Sequence, residues 1–377
     1  MRSFLMSDNM NSCEFSCPET KQKLRLTSIE EAEQLISGGV PLISRPNHEK
    51  ATPFGRTATV MLREDHECAY PVVDGIPILL TPEMLFAPDR PRQFDLTHRY
   101  WAEAYEEMDH YNRVATEEVK SVATSASAKC LEAASKSTEL ERDSFPEPPK
   151  IWIDSAAEAS AQLNALRHMG KVRGKRFLQL GGKGIHAVKF LLAGAEETFL
   201  ISPMFGEVKY SLALARHFGV ESRLRCVVGI GEQMPFADAT FHGVFSGGCI
   251  HHTVTETALP EIARILQPGG KFAAVDPWRT PIYQMGITIF GKREKGVFCK
   301  PITKERAKPL FSSMAEAKLD HHGALSRYPL ILLEKAGFRT SLSAAHRIQA
   351  LDDAISSLLP PWRHSMGSCV VMLGTRG

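Results

Sequence analysis

Apolar residues gather in short runs along this chain, and the spacing of the runs changes twice. Up to residue 88 they are brief: "LRLT", "PLISR", "TVMLRE" and "AYPVVDGIPILL", the last holding an Asp-Gly turn signal and a β-rich run that ends at Leu80. That pattern predicts a small β-rich module over residues 1–88. Over 89–173 the period lengthens to that of a helix, and in "FDLTHRYWAEAYEEMDHYNRVATEEV" Tyr100, Ala104, Met108 and Tyr111 fall on one face. The stretch 115–145 is rich in Ala, Ser, Lys and Glu and reads as a solvated helix or a mobile segment, and "SFPEPPK" breaks the chain after it. This middle zone predicts a helical cap.

From 174 to 377 strand-like runs alternate with helical ones. "KRFLQL", "ETFLI", "RLRCVVG", "GVFSGG" and "GGKFAAVD" are separated by "HAVKFLLAG", "FGEVKYSLALARHFG" and "LPEIARILQPG"; "RTSLSAA" and "SCVVMLG" close the series. Such alternation predicts a doubly wound α/β fold. Its mostly parallel seven-stranded sheet is covered on both faces, with any ligand at the carboxyl ends of the strands.

With 377 residues there is room for more than one core. A formal charge of +2 gives no reason to expect nucleic acid, and no apolar run approaches the ~18 residues of a membrane span. The N-terminus "MRSFLMSDNMNSCEF" makes a poor signal peptide, and eight scattered cysteines make no disulfide framework, so a reducing cytoplasm is expected. Composition is compatible with a homo-oligomer without requiring one.

One short stretch carries candidate chemistry. In "FLQLGGKGIHA" (177–187) an apolar strand meets three glycines and a helix start. Gly182-Lys183-Gly184-Ile185-His186-Ala187 fits the G-x-G-x-x-A phosphate turn of dinucleotide folds, where glycine lets the backbone approach a ligand and the helix N-terminus favours an anion. Alone the match is weak, since a tight strand-to-helix turn with no ligand has the same shape.

Three later motifs redirect the reading. "MPFADATF", "FSGGCIHHT" and "ILQPGGKF", all within 227–276, together with "LISPM" (200–204) resemble the class I S-adenosylmethionine-dependent methyltransferases, in particular the small-molecule branch that includes the quinone C-methyltransferases. The resemblance covers about residues 174–280 and implies a methyltransferase-like Rossmann domain, S-adenosylmethionine as cofactor and a small, aromatic or conjugated acceptor as partner. It assigns the cofactor to Gln179, Gly181, Gly182, Gly184, Ser202, Glu232, Gln233, Met234 and Gly247. The N-terminal "CPETKQKLRL" and "HECAYPVVDGIPILLTPE" are similar to a zinc-ribbon-like module of methyltransferase activators. Cys17 and Cys68 remain of its two cysteine pairs; Cys13 and His66 could complete a tetrahedral set, but a metal-free remnant is the expectation.

The chain also departs from the family. The resemblance implies acids after the first strand, at the end of the second and after the third, where this sequence has Gln179, Leu200 and Ile230; the usual acid after "PFADATF" is His242. Lys183 stands where a second glycine is usual. A hydrogen bond to a charged group contributes about 1.5–3 kcal/mol, so loss of the ribose carboxylate alone weakens binding by about one to two powers of ten. Glu197, Glu207 and Glu232 are candidate replacements. Three outcomes are open: altered binding of the same cofactor, another ligand in the cleft, or a non-catalytic partner protein.

If methyl transfer occurs, His251 and His252 after the fourth strand are candidate bases, and Asp276, Trp278 and Tyr283 candidate acceptor-pocket residues. Tyr100, Trp101, Tyr105 and Tyr111 of the helical zone could stack on a flat acceptor. A different reading gathers Cys249, His251, His252, His186 and His242 at one sheet edge as ligands for a metal or haem; solvated strand-end histidines are the plainer account, and no metal site is assigned.

Overall fold

The computed structural model describes residues 15–35, 59–80, 110–135, 152–283, 285, 301–338 and 340–377. The N-terminal module is an antiparallel four-stranded sheet in the order β1-β2-β3-β4, formed by β1 (Leu24–Ser28), β2 (Thr59–Arg63), β3 (Ala69–Val73) and β4 (Ile76–Pro77), with helix α1 (Ile29–Leu35) after β1. Asp74 and Gly75, at φ 50° and 77°, make the β3–β4 turn, both in the left-handed region where Asp and Gly are tolerated. "PLISR" lies outside the described residues.

The large sheet contains β5 (Arg176–Leu180), β6 (Glu197–Ser202), β7 (Leu224–Val228), β8 (Phe241–Gly247), β9 (Leu266–Pro277), β10 (Glu316–His322) and β11 (Cys369–Thr375). The order is β10-β11-β9-β8-β5-β6-β7, parallel except for β11, which runs antiparallel to both neighbours. The expected doubly wound, mostly parallel seven-stranded fold is therefore present. Its helices are α2 (Ala126–Ser135), α3 (Ala159–Met169), α4 (Ile185–Leu192), α5 (Phe205–His217), α6 (Thr255–Ile265), α7 (Lys304–Ser313), α8 (Arg327–Lys335), α9 (Leu342–Ser357) and α10 (Pro360–Met366). Among the described residues no helix is long and apolar enough to cross a membrane.

One strand assignment is corrected. "RTSLSAA" is not a strand: Ser341 accepts from the Ala344 amide at 3.2 Å and caps α9, whose alanine-rich start favours helix. The sixth strand is instead β10, "EAKLDHH", an edge strand with one exposed side and too few apolar residues to announce itself.

Strand parity divides the core. Leu178 and Leu180 of β5, with Phe199 and Ile201 of β6, face α6, α7 and the N-terminal module. Leu200 and Val228 face α2, α4 and α5, while Phe177, Phe245 and Ala273 face α3. Since α3 packs on the sheet, the layered unit begins before residue 174. The module is joined to the sheet: the Leu79 amide donates to the Val228 carbonyl at 2.7 Å, and Phe15 packs edge-on to Phe199 with centroids 6.4 Å apart.

Candidate functional site

Helices α4 and α5, which follow β5 and β6, lie on one face, whereas α6, which follows β8, lies on the other. The winding thus reverses between the paired strands β5 and β8, and the carboxyl ends of these strands are where such a sheet places its ligand crevice. The glycine turn and Gly247 flank it. Gly181, Gly182 and Gly184 have φ of 72°, 76° and 73°, so all three adopt backbone that other residues avoid. A Cβ at Gly184 would meet Ser211 Oγ at 2.3 Å, and one at Gly247 would meet His186 Nε2 at 2.4 Å. Gln179 is engaged in building this turn: its amide Nε2 donates to the Gly181 carbonyl at 2.7 Å and its Oε1 accepts from the Ala187 amide at 2.7 Å.

The replacement acids separate by position. Glu197 begins β6, at the opposite end from the crevice, and pairs with Arg176 at 3.0 Å and Arg225 at 3.1 Å; it cannot take the place of a carboxyl-end acid. Glu207, on the first turn of α5, reaches the turn. It accepts from Ser202 Oγ at 2.8 Å and from the Gly182 amide, and burial pushes it up to about 7 against those bonds and the nearby Lys183 charge. Glu232 accepts from the Val254 amide at 2.8 Å and closes the loop after β7. Leu200 and Ile230 are buried apolar core. Lys183 pairs with Glu118 and lies over the Tyr210 ring, 5.6 Å from its centroid, so its charge is compensated.

At the ends of β8 and β9 the sheet holds a buried pair. Asp276 Oδ1 lies 2.7 Å from His251 Nδ1 and accepts the His251 backbone amide at 3.0 Å. Burial raises the Asp276 carboxyl to about 8, opposed by the His251 amide and the Arg306 charge. Arg306, on α7, donates to the carbonyls of Thr253 at 2.8 Å and His251 at 3.2 Å, fixing the histidine turn from behind. Nothing local in the sequence marks Arg306, which lies 55 residues from His251.

The other expected residues disperse around this pair. The His252 ring lies against His251, tilted by 44° with centroids 3.8 Å apart. Gln233 Oε1 and Asp276 Oδ2 are buried acceptors without a hydrogen-bond partner among the described residues. Met234 is fully buried, and its carbonyl accepts from Lys21 and Arg264, so it is core rather than cleft lining. Trp278 packs edge-on to His321. Tyr283 closes a short helical turn in which its amide donates to Thr280 Oγ1 at 3.0 Å. Tyr100, Trp101 and Tyr105 lie outside the described residues.

The proposed gathering of metal ligands does not form. His242 is the second residue of β8, at the other end of the strand from Cys249, His251 and His252. His186 is buried against Phe245 and Gly247, where burial lowers it to about 3, aided by Lys189; Lys189 itself binds Asp154 at 2.7 Å. Among the described residues no cluster of three metal-ligating side chains occurs. In the N-terminal module Cys17 and Cys68 hydrogen-bond to each other. That bond, with others from Thr20 and Tyr70, holds the Cys17 thiol down at about 4 against the effect of burial, while Cys68 is raised. Tyr70 OH lies 3.1 Å from Cys17 Sγ and Arg63 lies 4.0 Å from it. Cys13 lies outside the described residues.

Comparisons with known proteins add to this geometry. Residues 181–274 match the model of a methyltransferase domain. Among curated proteins, the chain is 30% identical over 136 residues to the O-methyltransferase rstn1 of Aspergillus nomiae, covering 33% of this chain and 60% of that protein. It is 33% identical over 104 residues to the ribosomal protein L11 methyltransferase of Sorangium cellulosum, covering 27% and 31%. The chain thus spans less than two thirds of either relative's length. Among solved structures, the geranyl diphosphate C-methyltransferase of Streptomyces coelicolor aligns with a TM-score of 0.43 at 14% identity, over 64% of this chain and 88% of that one. Residues 181–274, which are similar to that methyltransferase domain model, lie within the mostly parallel seven-stranded sheet and carry the glycine turn and the histidine turn.

Proposed function

We propose that the chain transfers a methyl group from S-adenosylmethionine to a small acceptor with an aromatic or conjugated framework, as its resemblance to the quinone C-methyltransferases implies. The observation that carries this reading is the meeting, at the switch point, of a turn with three left-handed glycines and a buried His251–Asp276 pair.

The residues present fit a cationic nucleoside despite the exchanged acids. Glu207 places a carboxyl group against the Gly182 amide, close to where the family carries its ribose-binding acid. Lys183 is held by Glu118 and does not confront the ligand's charge. Gln233 Oε1 and Asp276 Oδ2 are buried acceptors that suit a ligand rich in ammonium, amine and hydroxyl donors. When bound, the cofactor supplies an electrophilic methyl group on its sulfonium. Gly181, Gly182 and Gly184 let the backbone approach it, and Gly247 leaves room for His186 beneath the crevice. Alignment of acceptor and methyl within this water-poor site supplies much of the acceleration. Where the acceptor must lose a proton, His251 receives it at Nε2, while Asp276 and Arg306 hold the ring and its turn.

Titration calorimetry with S-adenosylmethionine and S-adenosylhomocysteine tests the reading. A dissociation constant of about micromolar order for both is expected. Silence with both compounds overturns it.

A further inference from the structure

A second concavity opens at the opposite end of the sheet from the crevice. It has a volume of about 310 Å³ and is lined by the C-terminal end of α3 with its exit (Met169–Lys171), the start of β5 (Lys175, Phe177), His242 of β8, and the Gln267–Lys271 segment of β9. Its shape derives from the sheet. The β8–β9 ladder pairs Phe241 with Leu266 and then Gly243 with Lys271, so Gln267–Gly270 bulges outward opposite His242. Phe177 and Met169 pack over Gly243, where a Cβ would meet them at 2.6 Å, and form the floor.

The charge on this lining is one-sided. Lys171, Lys175 and Lys271 line it, with His242 and Gln267, and no carboxylate does. No ion pair is formed by any of the three lysines among the described residues. Glu196 and Glu316 are the carboxylates within electrostatic reach of the pocket histidine and of neighbouring His168; both are exposed and neither lines the cavity. Asp320, also facing His168, is engaged by Lys318 and Asn164. Arg176 and Lys175 add positive charge beside His242. Three like charges around one half-buried hollow repel one another, and an anion removes that cost.

We propose that this hollow is an anion site, distinct from the crevice, that takes a phosphate-bearing small molecule between Lys175, Lys271 and Lys171, with His242 and Gln267 as further polar partners. Lysine ammoniums serve as point charges for phosphate, and three of them suit a ligand with more than one negative charge, such as a diphosphate group.

The test is calorimetric titration of the full chain at low salt with inorganic pyrophosphate, ATP and adenosine. Saturable binding of pyrophosphate is expected, and Lys175→Gln and Lys271→Gln should each weaken it about tenfold, with Lys120→Gln, an equal change of charge elsewhere, leaving it unaltered. His242→Asp, which puts a carboxylate into the lining, should weaken it as well. ATP binding tighter than pyrophosphate, with adenosine silent, identifies a nucleotide; equal affinities identify the bare phosphate group; both uphold the site. Protection of Lys175 and Lys271 from acetylation by pyrophosphate, read by peptide mass spectrometry, reports on the wild-type chain without any variant. No saturable binding, or binding and protection indifferent to Lys175 and Lys271, overturns the proposal.

Discussion

Asp276 Oδ1 accepts the His251 backbone amide and lies 2.7 Å from His251 Nδ1, while Oδ2 has no hydrogen-bond partner among the described residues. A buried carboxylate in that position is costly, so a proton remains on the pair until the pH passes about 8, the value to which burial raises Asp276. Below that pH the carboxyl keeps its own proton and cannot take the one on His251 Nδ1; above it the carboxylate holds the Nδ1 proton and leaves Nε2 to serve as base. Methyl transfer to a proton-bearing acceptor is therefore expected to rise with pH through about 8. Asp276→Asn should lower kcat by about 10²-fold and remove that limb, measured as kcat against pH. An unchanged pH profile in the variant would remove His251 from the chemistry. Sequence alone named both residues, His251 beside His252 as a candidate base and Asp276 as an acceptor-pocket residue, but did not pair them. It named Glu207 only as one of three candidate replacement acids, because the choice among them depends on how far α5 carries its first turn back over Gly182.

Elements differ in how openly they declare themselves. β5 to β9 are dense apolar runs because both faces of a parallel sheet are covered, and such runs are legible in any sequence. β10 has one exposed side, so "EAKLDHH" lacks that density; "RTSLSAA" has strand-like residues, but the Ser341 cap turns its second half into helix. Helix α7 shows another limit. Its packing on the sheet is written in Ala307 and Leu310, yet its link to the site lies in Arg306, which clamps the carbonyls of His251 and Thr253. Arg306→Leu is expected to loosen the histidine turn, lowering kcat about tenfold or more while leaving the affinity for S-adenosylmethionine within about twofold; the two are separated by steady-state kinetics and calorimetry. A matched loss of both would place Arg306 in the cofactor site instead.

For the whole molecule, buried titratable groups bound the range of stable pH on both sides. Burial lowers His186 to about 3 and His321 to about 4, so on the acid side the unfolded chain takes up protons that the folded chain refuses. That stability is complete above the ordinary histidine value and is lost as pH falls below about 6.5. Glu207 and Asp276, raised to about 7 and about 8, act in the opposite sense: the folded chain keeps protons that the unfolded chain releases, and stability falls as pH rises through those values. The two effects nearly cancel between pH ~5 and ~6, so urea midpoints measured from pH ~5 to ~9 are expected to be flat up to about pH 6 and to fall above it, and His186→Gln, which removes half of the opposing histidine effect, should make them fall from pH ~5 upward. A midpoint that climbs steadily toward pH ~9 would contradict the protonated state of the two buried acids.

The sequence by itself determined the alternation of strand and helix, the doubly wound class, the glycine turn and the resemblance that points to methyl transfer. These are local or nearest-neighbour properties: apolar density, helical period and the backbone freedom of glycine. Only the tertiary structure decided where the charges fall. It put Glu197 and His242 at the far end of the sheet from the crevice, brought Glu207 to Gly182, turned Lys183 onto Glu118, and left Lys175 and Lys271 around one hollow. Side-chain electrostatics depend on distances across strands and helices that no spacing along the chain encodes, which is why the fold was legible early and the chemistry of the site was legible only in part.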